Sequence, residues 1–168
     1  MSVTADSVPI MSEIGVVVRV ATTADLDGVV ACSSALFAED AGTRDPSLNV
    51  NWPREHGLAR FTEALGDPGR LVMVAEDDRR IVGHLTGSLS EPTPMRPVTV
   101  ATLGSVYVQP AYRGQKIGAR LVAEFRTWAT LHGAQYAGVT AYSGNEAAVR
   151  FYQRNGFAMR SVVLETTL

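Results

Sequence analysis

Val106-Tyr107-Val108-Gln109-Pro110, followed by Arg113-Gly114-Gln115-Lys116-Ile117-Gly118-Ala119, is the stretch on which the reading of this chain turns. Val106 to Val108 is strand-like, and Pro110 ends the run because it has no N–H to give a ladder. Ile117, Leu121, Phe125 and Trp128 then fall at i, i+4, i+8 and i+11, an apolar stripe that turns one helix face toward a sheet. Strand, short glycine-bearing loop and helix N-terminus together aim their amides at one spot, where a pyrophosphate can sit. The loop alone fits equally well a tight strand-to-helix turn that binds nothing.

Downstream of this helix, Gly133 is placed to end it, Tyr136 to Tyr142 reads as a strand, and Asn145 to Asn155 as a last helix. Asn145 and Tyr152 lie seven residues apart, on one helical face. Gly156-Phe157 has the form of a Schellman ending, and Val162 to Leu164 that of a final strand.

Upstream, residues 1–14 are polar and without period and read as a mobile arm, leaving 15–168 as one domain. Val16 to Val20 is a short β-branched strand, and Thr22-Thr23-Ala24-Asp25 offers caps for a helix reaching about Ala38. Glu39 to Val50 reads as a polar connection, and Pro53 opens a second helix that ends near Gly66. Leu71 to Ala75 and Ile81 to Leu89 form a hairpin through a charged turn, and three prolines break the chain before Val98 to Val108. Gly104, inside that long strand, marks a bulge or a close approach. The expected order is β-α-α-β-β-β-α-β-α-β, an α/β fold with a mixed sheet and an antiparallel first half.

The chain has 168 residues, enough to bury a real core. A formal charge of −2 and no basic stripe with interleaved aromatics argue against nucleic acid as a partner. The apolar runs are strand-sized, so no membrane span is expected. The N-terminus lacks a signal-peptide pattern, and the single cysteine, Cys32, excludes an internal disulfide, so cytoplasm is the natural compartment. Cys32 lies mid-helix among apolar residues and reads as a core residue rather than a nucleophile. His56, His84 and His132 are scattered, and no metal site is expected.

Other phosphate motifs fit poorly. There is no P-loop, and no G-x-G-x-x-G follows a strand, which weighs against a nicotinamide-binding unit. The two quoted stretches instead resemble the motifs of the GNAT superfamily of acyl-CoA-dependent N-acyltransferases. In that family a strand leads into [RQ]-x-x-G-x-[GA], and a later N-x-x-A-x-x-[FL]-Y-x-x-x-G-F completes the site. The first stands here as Arg113-Gly114-Gln115-Lys116-Ile117-Gly118, with Lys116 where the family usually has glycine. The second stands as Asn145, Ala148, Phe151, Tyr152, Gly156 and Phe157.

The resemblance implies a GNAT-like fold with a splayed central strand pair and helices on both faces. It implies acetyl-CoA as co-substrate, with Val106, Tyr107 and Val108 along the thioester arm. Arg113, Gly114, Gln115, Lys116, Ile117, Gly118 and Ala119 would hold the pyrophosphate, and Asn145 would complete the cofactor site. Tyr152 would assist the leaving thiolate. The acceptor would be a primary amine of a small molecule or peptide, attacking directly in a ternary complex. The acidic stretch around Glu39 and Asp40 would face that amine, although a solvated charged loop explains it as well. A homodimer is a family expectation. The rival reading is an acyl-CoA-binding module on the same fold that lacks turnover. Many family members carry a glutamate base on the strand before the loop. This chain has Thr99, Thr102 and Ser105 there, and Glu39, Asp40, Asp45, His84 and Glu91 elsewhere, none of which stands out as the base.

Overall fold

The computed structural model describes residues 15–168. The expected N-terminal arm lies outside them. Five strands form one mixed sheet in the order β1-β2-β3-β4-β5: β1 (Val17–Val20), β2 (Arg70–Asp77), β3 (Arg80–Ser90), β4 (Val100–Val108) and β5 (Tyr136–Val139). The first four are antiparallel to their neighbours, and β5 runs parallel to β4. A parallel pair needs a crossover, and α4 (Ile117–Leu131) provides it.

β2 is buried on both faces, which is why its sequence is an unbroken apolar run rather than an alternation. On one face Leu71 and Met73 join Leu85, Leu103 and the α4 residues Ile117, Leu121 and Phe125. On the other, Val72 and Val74 pack against α1 (Leu26–Leu36) and α3 (Trp52–Leu65) through Leu26, Val29 and Phe61. The helical period read from Ile117, Leu121 and Phe125 is thus the core stripe itself, with Trp128 packed at its margin. The β2–β3 turn has positive φ at both Asp78 and Arg79, the twist that a two-residue hairpin requires.

Two parts of the expected order differ. Helical structure does not stop near Ala38: a π turn, Phe37–Ala41, and a short α2, Gly42–Arg44, carry it past Glu39 and Asp40. The connection expected over residues 39–50 therefore begins only at Asp45. The final strand expected at Val162 to Leu164 is absent, and these residues are exposed without regular structure. Three apolar residues carry too little pairing to hold a strand, and among the described residues none pairs with the outer edge of β5.

The last helix, α5 (Glu146–Arg154), ends as expected. Gly156 takes φ +90°, and the Phe157 N–H donates to Tyr152 O at 3.0 Å, the long bond of a Schellman motif.

Candidate active site

The bulge is the geometric origin of the site. Register between β3 and β4 shifts across Gly104, with Thr86 opposite Ser105 but Gly87 opposite Leu103. A Cβ at Gly104 would meet Thr86 Oγ1 at 2.9 Å, so the position accepts no larger residue without moving Thr86. The Gln109 N–H donates to Val82 O, which turns the odd-numbered peptide groups of this end of β4 toward β3. Those of Val106 and Val108 therefore point the other way. Pairing with β5 ends at Leu103–Val139, so that side of β4 is open from Gly104 onward. An extended acyl-bearing ligand can lie along this free peptide edge.

Beyond β4, the 3₁₀ turn Pro110–Tyr112 leads into the loop. Gly114 and Lys116 both adopt left-handed conformations, with φ of 78° and 61°. The amides of Lys116, Ile117, Gly118 and Ala119 have no acceptor among the described residues, as the first turn of any helix dictates. Unpaired amides at a helix start are the kind of donors an anion takes, and the α4 dipole adds to their pull. A Cβ at Gly118 would sit 3.3 Å from the Phe151 ring, so glycine lets α4 and α5 close on one another beside the loop. These features fit a pyrophosphate-bearing cofactor.

Lys116 is the lysine in the glycine position, and it adopts the conformation that glycine would adopt freely. A left-handed side-chain residue costs about 1–2 kcal/mol, offset in part by the entropy that glycine loses on folding. Lys116→Gly is expected to raise the unfolding midpoint of the free protein by about 2–4 °C, read by thermal unfolding. An unchanged or lower midpoint would mean that the backbone there is not strained.

Arg113 does not stand free over the loop. Its Nε donates to Val108 O at 2.8 Å, its NH2 group to Glu39 at 2.8 Å, and its guanidinium lies 5.4 Å over the Tyr107 ring. Hydrogen bonding from Arg113 holds the Glu39 carboxyl below its usual range. Asp40 takes Arg44 Nε at 2.6 Å and Asn145 Nδ2 at 2.9 Å. Asn145 also caps α5, its Oδ1 accepting from Ala148 N at 3.1 Å. The π turn thus reaches β4 through Glu39 and α5 through Asp40, bridging the two sides of the opening. Sequence reading set Glu39 and Asp40 beside an acceptor but missed their partners. The Asp40–Arg44 spacing of four would have suggested a helical pair, had the segment been read as helical.

Tyr152 packs between Phe151 and Phe157, with ring centroids 5.3 and 5.9 Å away. Its hydroxyl has no hydrogen-bond partner among the described residues. Burial, and then the nearby Asp40 charge, push its phenol up to about 12. Cys32 is buried, and burial pushes its thiol up to about 11, as suits a core residue rather than a nucleophile. Among the described residues no cluster of His, Cys, Asp and Glu can hold a metal, and no helix is long and apolar enough to cross a membrane.

Comparison with known proteins agrees with this geometry. The chain is 31% identical over 99 residues to an uncharacterized N-acetyltransferase of Mycobacterium tuberculosis, a match covering 59% of this chain and 60% of that protein. It superposes on a Bacillus halodurans protein described as a transcriptional regulator with TM-score 0.71 and 27% identity, covering 92% of this chain and all of the other. An aminoglycoside N-acetyltransferase solved with coenzyme A shares the fold at TM-score 0.73 and 17% identity, covering 92% of this chain and 95% of that one. Residues 37–157 match the Acetyltransferase (GNAT) family, and that span holds β2 to β5, the open edge of β4, the amide loop and Tyr152: this chain belongs to the GNAT acetyltransferase family.

Proposed function

We propose that this protein transfers an acetyl group from acetyl-CoA to a primary amine of a small molecule or peptide, by direct attack within a ternary complex. The observation that carries the reading is the free peptide edge at Val106 and Val108, set beside the unpaired amides of Lys116 to Ala119. Acetyl-CoA would supply an activated thioester and a phosphate anchor. The amides of Lys116 to Ala119 suit the pyrophosphate, with the Lys116 ammonium beside them, while Gly114 and Gln115 shape the turn. The Val106 and Val108 N–H groups are the available donors to a thioester carbonyl, and they count most when that oxygen gains charge during attack. Tyr107 and Asn145 act on the cofactor side through packing and through the cap of α5. Arg113 acts there by fixing Val108 O.

Glu39 and Asp40 line the acceptor side and favour a cationic amine. In the free protein both carboxylates are already engaged, so an incoming ammonium would compete with Arg113, or with Arg44 and Asn145.

Thermal unfolding with acetyl-CoA, coenzyme A, NAD or no ligand tests the reading. Selective stabilisation by the two coenzyme A ligands is expected, about 2.7 kcal/mol at 100 times the Kd. A panel of primary amines scored by thiol release then identifies the acceptor class. No response to acetyl-CoA, or a response to NAD alone, would sink the proposal.

A further inference from the structure

The bulge at Gly104 has a second consequence, on the face of the sheet opposite α4. Thr86 lies opposite Ser105 in the register and His84 opposite Tyr107, so all four side chains share the face covered by α1 and α3. Ser105 Oγ is 3.1 Å from His84 Nε2 and 2.8 Å from Thr86 Oγ1. His84 is fully buried, edge-on to Phe61, and its Nδ1 has no partner among the described residues. Burial pushes the imidazole down to about 4, so it is neutral under ordinary conditions.

A buried histidine with one orphaned nitrogen is a costly core residue, and an apolar side chain would fill the same space without that cost. Its one hydrogen bond is therefore the informative feature. A serine hydroxyl has one proton and two lone pairs. When the hydroxyl donates to one of Thr86 and His84 and accepts from the other, one lone pair stays free, and Ser105 is only half-buried. Ser105 directly precedes the open peptide edge, and the opposite face there is filled by Val106, Val108 and the α4 core. A thioester lying along this edge would have the α4 core on one face and Ser105 on the other.

We propose that Ser105 is the residue that orients the acceptor amine, its free lone pair accepting an amine N–H while His84 holds the hydroxyl in place. Ser105 is then a catalytic residue in the sense of touching the acceptor, and His84 is a positioning residue acting through it. This rests on the acetyl-transfer reading above. No carboxylate stands on β4 to do the same work, and the serine offers a neutral hydrogen-bond acceptor in its place.

The test compares wild type with Ser105→Ala, Ser105→Thr and His84→Phe. For each we would measure acetyl-CoA Kd, thermal midpoint, and kcat and KM for the amine turned over fastest in the panel. Losing one oriented hydrogen bond is expected to lower kcat about tenfold in S105A and in H84F, with acetyl-CoA Kd unchanged. S105T keeps the hydroxyl and should retain most of the activity. H84F removes the orphaned nitrogen and should melt at or above wild type while losing turnover, a divergence that a purely structural histidine would not give. Wild-type kcat and amine KM in both S105A and H84F would overturn the assignment, as would an S105T variant as slow as S105A. Failure of the wild type to bind acetyl-CoA would instead remove the acetyl-transfer reading itself.

Discussion

Tyr152→Phe is expected to lower kcat by about 10–100-fold while leaving the affinity for acetyl-CoA nearly unchanged. In the proposed transfer the departing thiolate is the conjugate base of a thiol with pKa about 8.5, whereas Tyr152 stands near 12. Complete proton transfer would be uphill by about 5 kcal/mol. The phenol is therefore suited to donate a hydrogen bond to the developing thiolate, and a bond to a charged partner contributes about 1.5–3 kcal/mol. The apolar seat between Phe151 and Phe157 that raises the pKa also strengthens such a bond, because the dielectric around it is low. Phenylalanine fills the same seat, so the fold should not suffer. The pH profile offers a second check. Because the pKa is raised, the phenol remains protonated up to about pH 11 and should contribute no alkaline loss of activity below that. A Y152F variant with wild-type kcat would remove Tyr152 from the mechanism.

The features legible in the sequence were those written in contiguous residues. Ile117, Leu121 and Phe125 gave the α4 stripe, Gly156-Phe157 the end of α5, and Gly104 the bulge. Each depends on a local period or on one backbone conformation. The partnerships of the site were not legible, because they join distant segments: Glu39 to Arg113 across 74 residues and Asp40 to Asn145 across 105. Glu39 and Asp40 were expected in a loop because Gly42 and Pro46 punctuate the segment, yet the helix runs on through a π turn. Such turns carry no clear sequence signal and are common at functional sites. His84 was visible as a scattered histidine and as one of five candidate bases, none of which stood out. Its hydrogen bond to Ser105 depends on a register that the bulge sets, and one residue of slip would have put the two on opposite faces. The strand expected at Val162 to Leu164 failed for the converse reason. Its β-branched residues favour a strand, but pairing is a tertiary event, and none of the described residues pairs with them.

Asp25→Ala is expected to destabilise the fold by about 3 kcal/mol, a fall of about 6–12 °C in the unfolding midpoint. Asp25 is a buried carboxylate whose two oxygens meet Arg19 at 2.7 and 2.8 Å, and it also accepts the Thr22 backbone N–H at 2.7 Å. Arg19 pairs in turn with Glu76 on β2, so one guanidinium joins β1, the start of α1 and the sheet. The hydrogen bonds from Arg19, outweighing the cost of burial, lower the carboxyl to about 2. Against an unfolded value near 3.9, that shift, to which the Thr22 hydrogen bonds also contribute, corresponds to about 2.5 kcal/mol. Because the folded pKa is depressed, this stabilisation is fully present above about pH 4 and is lost as pH falls toward 2. The gap between wild type and D25A should therefore be constant near neutrality and close in acid. Asp25→Asn keeps an oxygen for the Thr22 N–H but no charge for Arg19, and should fall between the two. The consequence reaches the site, since α1 runs directly into the π turn that holds Glu39 against Arg113 and Asp40 against Asn145. A variant that melts early but keeps its pH dependence would show that Asp25 is not the titrating group.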